Sequence, residues 1–272
     1  MTASAWVAVI AAWIEAMQAA GVPATTQRTR REHLQRCARA GGWSSPAAVT
    51  GEGLVAWFAR QQWAPETRRS HRGSHRAFWA WMVATGRRED SPADALPVVK
   101  ATPGLPRPVD ELAYRAALRE AAPRVRLILR CAAEVGLRRA EVAQVHRRDL
   151  LQDLGGWSLI VHGKGGRPRV VPLPAGLAAL IVEQCEHTGY LLPGDDHGHL
   201  SPRYVGKLAA VALPDHWTLH SLRHRFATLA YSLDRDVFTV QQLLGHASPA
   251  TTRRYVALDT SGMRSTVDRI AA

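Results

Sequence analysis

The chain has 272 residues, 46% apolar and 21% charged; this excludes disordered and collagen-like classes and suits one large domain or two compact ones. Lysine and arginine number 35 against 23 aspartates and glutamates, and the surplus of +12 attracts polyanions, pointing to nucleic acid ahead of an anionic membrane surface. Three cysteines, Cys37, Cys131 and Cys185, are odd in number and widely spaced, which excludes a disulfide framework or zinc knuckle and suits reduced packing residues in a cytoplasmic protein.

The opening "WVAVIAAWIEAMQAAGV" has no preceding positive charge and is interrupted by Glu15 and Gln18 at helical spacing. It reads as an amphipathic helix near 4 to 20 rather than a signal sequence, and no stretch is long and apolar enough to span a bilayer. Three further helices lie in "TTQRTRREHLQRCARAGG", "GEGLVAWFARQQ" and "APETRRSHRGSHRAFWAWMVATGR". In the first of these, Arg28, Arg30, Arg31, Arg36 and Arg39 face a single Glu32; in the last, Arg68, Arg69, Arg72 and Arg76 alternate with His71 and His75 before an apolar end at Phe78, Trp79 and Trp81. Charge runs usually form a solvated face, but two such helices in one small domain favour contact with DNA. Arg28, Arg30, Arg31, Arg68, Arg69, Arg72 and Arg76 are the candidate DNA-binding residues. The bias to arginine over lysine matches phosphate geometry, although a GC-rich genome produces the same bias.

Five prolines and a glycine interrupt helical periodicity in "EDSPADALPVVKATPGLPRPVD", which reads as an interdomain connector. The expected organisation is a helical DNA-binding domain at 1–90, a linker at 91–108 and a second domain at 109–272. In the second domain, Val125, Ile128, Cys131, Ala132 and Val135 form a helical stripe closed by Gly136. "WSLIV" and "RVVPL" are strand-like runs around "HGKGGRP", a hairpin. Helices are expected near 175 to 187, at 202 to 212 behind Ser201-Pro202, in "TLHSLRHRFATLAYSL", in "DVFTVQQLLG" and after Ser248-Pro249. The fold class is mainly α with a small antiparallel β-sheet.

In "HSLRHRF", His220 and Arg223 share a helical face, with Leu222, Phe226 and Leu229 on the core-seeking side. His220 and His224 are one turn apart, but a metalloprotease helix needs glutamate where Ser221 stands. "GDDHGHL" is read as a solvated turn rather than a metal site. Lys164 lacks the earlier glycine and the following Ser or Thr of a phosphate loop. Neither metal nor nucleotide is expected. Tyr255 lies directly behind Arg253 and Arg254, an unusual setting for a core tyrosine.

Together these segments resemble the tyrosine recombinase family, the phage integrases and related bacterial site-specific recombinases. "GLRRAEVAQVHRRDL" is similar to the first-arginine box, "VHGKGGRPRVVPL" to the lysine hairpin, "HSLRHRFAT" to the His-x-x-Arg box and "LLGHASPATTRRYVAL" to the nucleophile box. The resemblance covers the C-terminal domain, of the DNA breaking-rejoining type. It implies catalytic roles for Arg138, Lys164, His220, Arg223, His246 and Tyr255, with Glu141 as a structural acidic partner. The N-terminal domain resembles the family's core-binding domain in outline only. The implied activity is site-specific strand exchange through a 3′-phosphotyrosine and a Holliday junction, on paired double-stranded sites. The protein would be a monomer in solution and a homotetramer at synapsis, with an accessory DNA-bending protein or partner recombinase. The tail "SGMRSTVDRIAA" is long enough to dock on a neighbouring protomer or to fray. With the sequence opening near the core-binding domain, no arm-type domain is expected. A type IB topoisomerase would use almost the same residues, and a non-catalytic repressor would need only the basic helices.

Overall fold

The structure is a computed structural model and describes residues 2–100, 106–163, 168–245 and Ile270. The chain divides into two compact units, residues 1–104 and 105–272.

The first unit is helical. Helix α1 (Thr2–Ala19) buries Trp6, Ile10, Trp13, Ile14 and Met17, a spacing of three and four that turns one face inward. Helix α2 (Ala24–Ala40) contributes Leu34 and Cys37, and α3 (Gly51–Ala59) contributes Leu54, Trp57 and Phe58. Thr50 starts α3 by accepting a hydrogen bond from the Gly53 amide at 3.1 Å, which satisfies a donor the helix cannot. Helix α4 (Pro65–Ala84) begins with proline, where its missing N–H costs nothing, and buries Phe78, Trp79 and Met82.

His71 and His75, members of the basic run by sequence, are instead buried on the inner side of α4. Their positions, four apart and continuing to Phe78, Trp79 and Met82, lie on the apolar stripe rather than the charged one. Ala93 and Leu96 are buried in the core of the first unit, so this part of 91–108 is packed structure, and the division between units falls after Gly104.

The second unit contains α5 (Glu111–Glu120), α6 (Pro123–Glu134), α7 (Arg139–Gln144), α8 (Ala175–Thr188), α9 (Pro202–Ala212), α10 (Leu219–Asp234) and α11 (Val237–Leu244), with strands β1 (Leu150–Asp153), β2 (Gly156–His162), β3 (Pro168–Pro172) and, outside the sheet of the first three, β4 (Pro193–Asp196). The first three strands form an antiparallel sheet in the order β1-β2-β3. Leu159 pairs with Leu150 on one side and Val171 on the other, making an inward row that joins Leu177 and Ile181 of α8 in one core. Asp110 caps α5 at 2.8 Å, and Ser201 caps α9 at 3.2 Å. None of α5, β1 and β4 is foreseen from the sequence, and "GDDHGHL", read as a solvated turn, begins in β4 and buries His199. Strand β1 turns only Leu150 inward, so it lacks the alternation that marks a half-buried strand.

The turn after α6 sets the path of the chain into α7. Gly136 has φ +69°, and a Cβ there would lie 2.5 Å from the Phe226 ring of α10, so glycine is required by both conformation and space. Within α10, Leu222 is fully buried and Phe226 half-buried, as the stripe predicts, but Leu229 is 44% exposed because the apolar face ends one turn early.

Candidate active site

The site is built around a buried carboxylate. Arg138 precedes α7 with extended backbone, and Glu141 in the first turn accepts its amide at 2.7 Å, which fixes the helix start. The same carboxylate, 6% exposed, accepts Arg138 Nη1 at 2.8 Å on Oε1. From β3, Arg169 binds it with both prongs, Nη1 to Oε1 and Nη2 to Oε2, each at 2.9 Å. Arg223 Nη1 lies 3.8 Å from Oε2. Burial pushes the Glu141 carboxyl upward, but hydrogen bonds from Arg169 and Arg138 and their charges outweigh it and hold the pKa at about 2.

The three guanidiniums also meet the C-terminal end of α11. Arg169 Nε donates to Leu243 O at 2.8 Å, Arg223 Nη2 to Leu244 O at 2.6 Å and Arg138 Nη2 to Gly245 O at 3.3 Å. These are carbonyls that a helix end leaves without intrahelical partners, at the negative pole of its dipole. Arg223, 1% exposed, also donates through Nη1 to Gly136 O, which ties α10 to the turn before Arg138. Gly245 closes α11 in the left-handed region, φ +60° and ψ +49°.

The expected pairing of His220 with Arg223 on one face is therefore only partly realised. Both lie on α10, but Arg223 turns into the unit while His220 is exposed. The His220 ring meets His224 edge-on at 4.3 Å. Lys164, His246 and Tyr255 lie outside the described residues. The strands that carry the lysine hairpin are described up to its base, where His162 Nε2 is 2.9 Å from the buried Asp149 carboxylate. Arg169 is absent from the residues singled out by sequence, since nothing in "RVVPL" distinguishes a buried strand arginine from an exposed one.

The basic helices of the first unit separate into two groups. Arg28, Arg31, Arg36, Arg39, Arg69 and Arg76 are exposed. Arg68 instead donates to Phe58 O at 2.8 Å and Gln61 O at 2.7 Å, and Arg72 donates to Leu96 O at 3.2 and 3.3 Å. Arg30 reaches Met17 Sδ at 3.5 Å and lies over the Trp13 ring. Arg69 pairs with Glu66 at 2.9 Å, an exposed pair of small energetic weight. Among the described residues no helix is long and apolar enough to cross a membrane, and no His, Cys, Asp and Glu cluster is arranged to hold a metal ion.

A profile described as the phage integrase family matches residues 109–261, a span that contains all six candidate catalytic positions. The chain is 38% identical over 138 residues to a protein named tyrosine recombinase XerC from Bradyrhizobium diazoefficiens, covering 46% of this chain and 43% of that one. The chain thus spans less than half the length of that relative. It is 34% identical over 224 residues to tyrosine recombinase XerC of Xanthomonas campestris pv. campestris strain B100, covering 77% and 69% of the two chains. In fold it is similar to a lambda integrase tetramer bound to a Holliday junction, with TM-score 0.73, 16% identity and 91% and 76% coverage. It is also similar to the XerH site-specific recombinase bound to palindromic difH substrate, with TM-score 0.69, 19% identity and 93% and 82% coverage. With a profile match over more than half its length and a relative matched across most of both sequences, the chain belongs to the phage integrase family of tyrosine recombinases.

Proposed function

We propose that this protein is a site-specific DNA recombinase that cuts and rejoins strands through a 3′-phosphotyrosine at Tyr255. The observation that carries the reading is the convergence of Arg138 and Arg223 on the end of α11, beside a buried Glu141 and one residue before His246. Guanidiniums already held in place by carbonyls and a carboxylate lower the cost of arranging positive charge where negative charge develops on a phosphate, which favours stabilising a phosphorane.

In this reading Tyr255 Oη attacks the scissile phosphorus and the bond to the 5′ oxygen breaks. The phenol, with an unperturbed pKa of about 10, must lose its proton as it attacks, and His220, exposed on α10, is the acceptor. Arg138 and Arg223 hold the non-bridging oxygens, and His246 donates a further hydrogen bond to the phosphate. Lys164 gives its proton to the departing 5′ oxygen. The phosphotyrosine conserves the energy of the broken bond, so attack by a 5′-hydroxyl of a partner duplex restores the phosphodiester and frees the tyrosine. The step as written consumes neither a metal nor a nucleotide.

The DNA partner is a pair of specific duplex sites, bridged by a homotetramer through a Holliday junction and assembled from a protein monomeric in solution. An accessory DNA-bending protein or partner recombinase, and a cytoplasmic, nucleoid-associated setting, complete the reading. The first unit serves as the core-type DNA-binding domain, the second as the catalytic domain.

The test uses a nicked suicide duplex carrying the protein's site, recovered by selecting bound DNA from a random library. The full chain should become covalently attached through Tyr255, and Tyr255→Phe should bind the duplex with no adduct. Binding without any adduct from the wild type would favour a repressor. Relaxation of supercoiled plasmids lacking the site would favour a topoisomerase.

A further inference from the structure

We propose that Arg169 is a positioning residue for the cleavage centre, keeping the Glu141 carboxylate occupied so that Arg138 and Arg223 stay aimed at the phosphate. This rests on the recombinase reading and deepens it.

The two carboxylate oxygens are shared unequally. Arg169 takes Glu141 with the two-point contact that guanidinium and carboxylate prefer, while the Arg138 guanidinium gives it only Nη1, beside the Arg138 amide on Oε2, and uses Nη2 for Gly245 O. Without Arg169, a buried carboxylate would face Arg138 with a vacant fork position. Arg138 would be drawn into the two-point pair itself, away from Gly245 O, and a phosphate would then compete with a carboxylate for the same guanidinium.

Charge leads to the same assignment. Three guanidiniums surround one carboxylate, leaving a surplus of two positive charges, which matches the two negative charges of a phosphodiester's phosphorane. Removing Arg169 halves that surplus.

Position points the same way. Arg169 comes directly after Pro168, where the chain returns from the lysine hairpin, and its Nε holds Leu243 O. A Cβ on Gly245 would lie 2.9 Å from Arg169 Cδ and 3.1 Å from its Nη1, so the backbone turn that leads to His246 passes directly against this side chain. One residue thus joins the base of the lysine hairpin, the carboxylate and the end of α11.

The experiment compares wild type, Arg169→Gln, Arg169→Lys, Glu141→Gln and the double variant Glu141→Gln/Arg169→Gln in single-turnover cleavage of the suicide duplex. Site affinity and thermal melting are measured alongside, and cleavage is assayed below every melting temperature. Arg169→Gln should cleave about 100-fold more slowly, a loss typical of misplaced reacting groups, with site affinity near the wild-type value. The double variant, with no carboxylate to capture Arg138 and the charge surplus restored, should cleave at least about tenfold faster than Arg169→Gln. Arg169→Lys, keeping charge but losing the fork, should fall between wild type and Arg169→Gln, and it carries the comparison if the glutamine variant does not fold.

A merely structural arginine would lower the melting temperature without any recovery of cleavage in the double variant. The inference is overturned if folded Arg169→Gln cleaves at the wild-type rate or the double variant gives no recovery. If glutamine does not fold, it is overturned by wild-type cleavage in Arg169→Lys. A wild type that forms no adduct rejects the recombinase reading and this inference together, whereas an active wild type with an indifferent Arg169 rejects only the inference.

Discussion

Gly245 is where conformation and chemistry meet in a single residue. It ends α11 at φ +60°, donates its amide to Gln241 O and Gln242 O, and lies against Arg169. Gly245→Ala adds a methyl where the left-handed conformation already disfavours one and where Arg169 occupies the space. The expected result is a loss of more than about 1 kcal/mol in chemical denaturation. Because the displaced guanidinium holds Glu141, cleavage of the suicide duplex should fall further than stability alone explains. A variant that melts lower yet cleaves normally would show that the contact with Arg169 is incidental. At this scale the sequence is informative about chemistry and silent about partners. The spacing of His220 and Arg223 puts both on α10, and the family boxes single out Arg138. No spacing rule says that Arg169, an arginine in a short strand run, closes a two-point pair with a residue 28 positions earlier.

Helices α2 and α4 show how far a charge pattern carries. Their abundance of arginine is legible, and so is their helicity, but not the destination of each side chain. Arg68 is held by Phe58 O in the last turn of α3 and by Gln61 O just beyond it, and Arg72 by Leu96 O, acceptors on other elements that a charge pattern does not reveal. Arg28, Arg31 and Arg39 remain on the surface of α2. Replacing these three with alanine should weaken binding to specific and unrelated duplexes alike, and each lost phosphate contact should flatten the dependence of log K on log salt by about 0.9. Arg68→Ala should behave oppositely, lowering the melting temperature while leaving the salt slope unchanged. Titrating binding of both variants between low and moderate salt separates surface charge from structural capping; a flattened slope in Arg68→Ala would return it to the DNA-contacting set.

At the scale of the whole molecule, one source of acid sensitivity is a buried histidine cluster in the first unit. His71 is stacked between His33 and Trp63, with ring centroids 3.7 and 3.8 Å away, and His75 is fully buried against Trp57 and Phe58. Burial, then the neighbouring histidines, lower the pKa of His71 to about 4 and of His75 to about 3, and burial lowers that of His33. Below about 6.5 the unfolded chain takes up protons that these folded rings refuse. Their contribution to stability should therefore be constant above that pH and decline as pH falls toward 4 and then 3, by up to about 1.4 kcal/mol per unit for each ring. Urea melts of the full chain from pH 7.5 to 4.5 would reveal this slope, and His75→Phe should reduce it; an unchanged slope in that variant would clear His75 of responsibility. The bundle itself is open to prediction from apolar periodicity, whereas this buried polar cluster is not, since a histidine among arginines reads as one more cation.

The end of α11 has one more consequence, for the order in which the protein comes into being. Its three carbonyls are gripped by arginines 107, 74 and 21 positions earlier, so Arg138 and Arg223 acquire their geometry only when the turn after α6, the sheet and the last described helices have all docked. On the ribosome, Arg138 and Arg169 emerge well before residues 243–245. In the recombinase reading, a half-made or partly unfolded chain thus carries the reactive side chains without their arrangement and does not cut DNA.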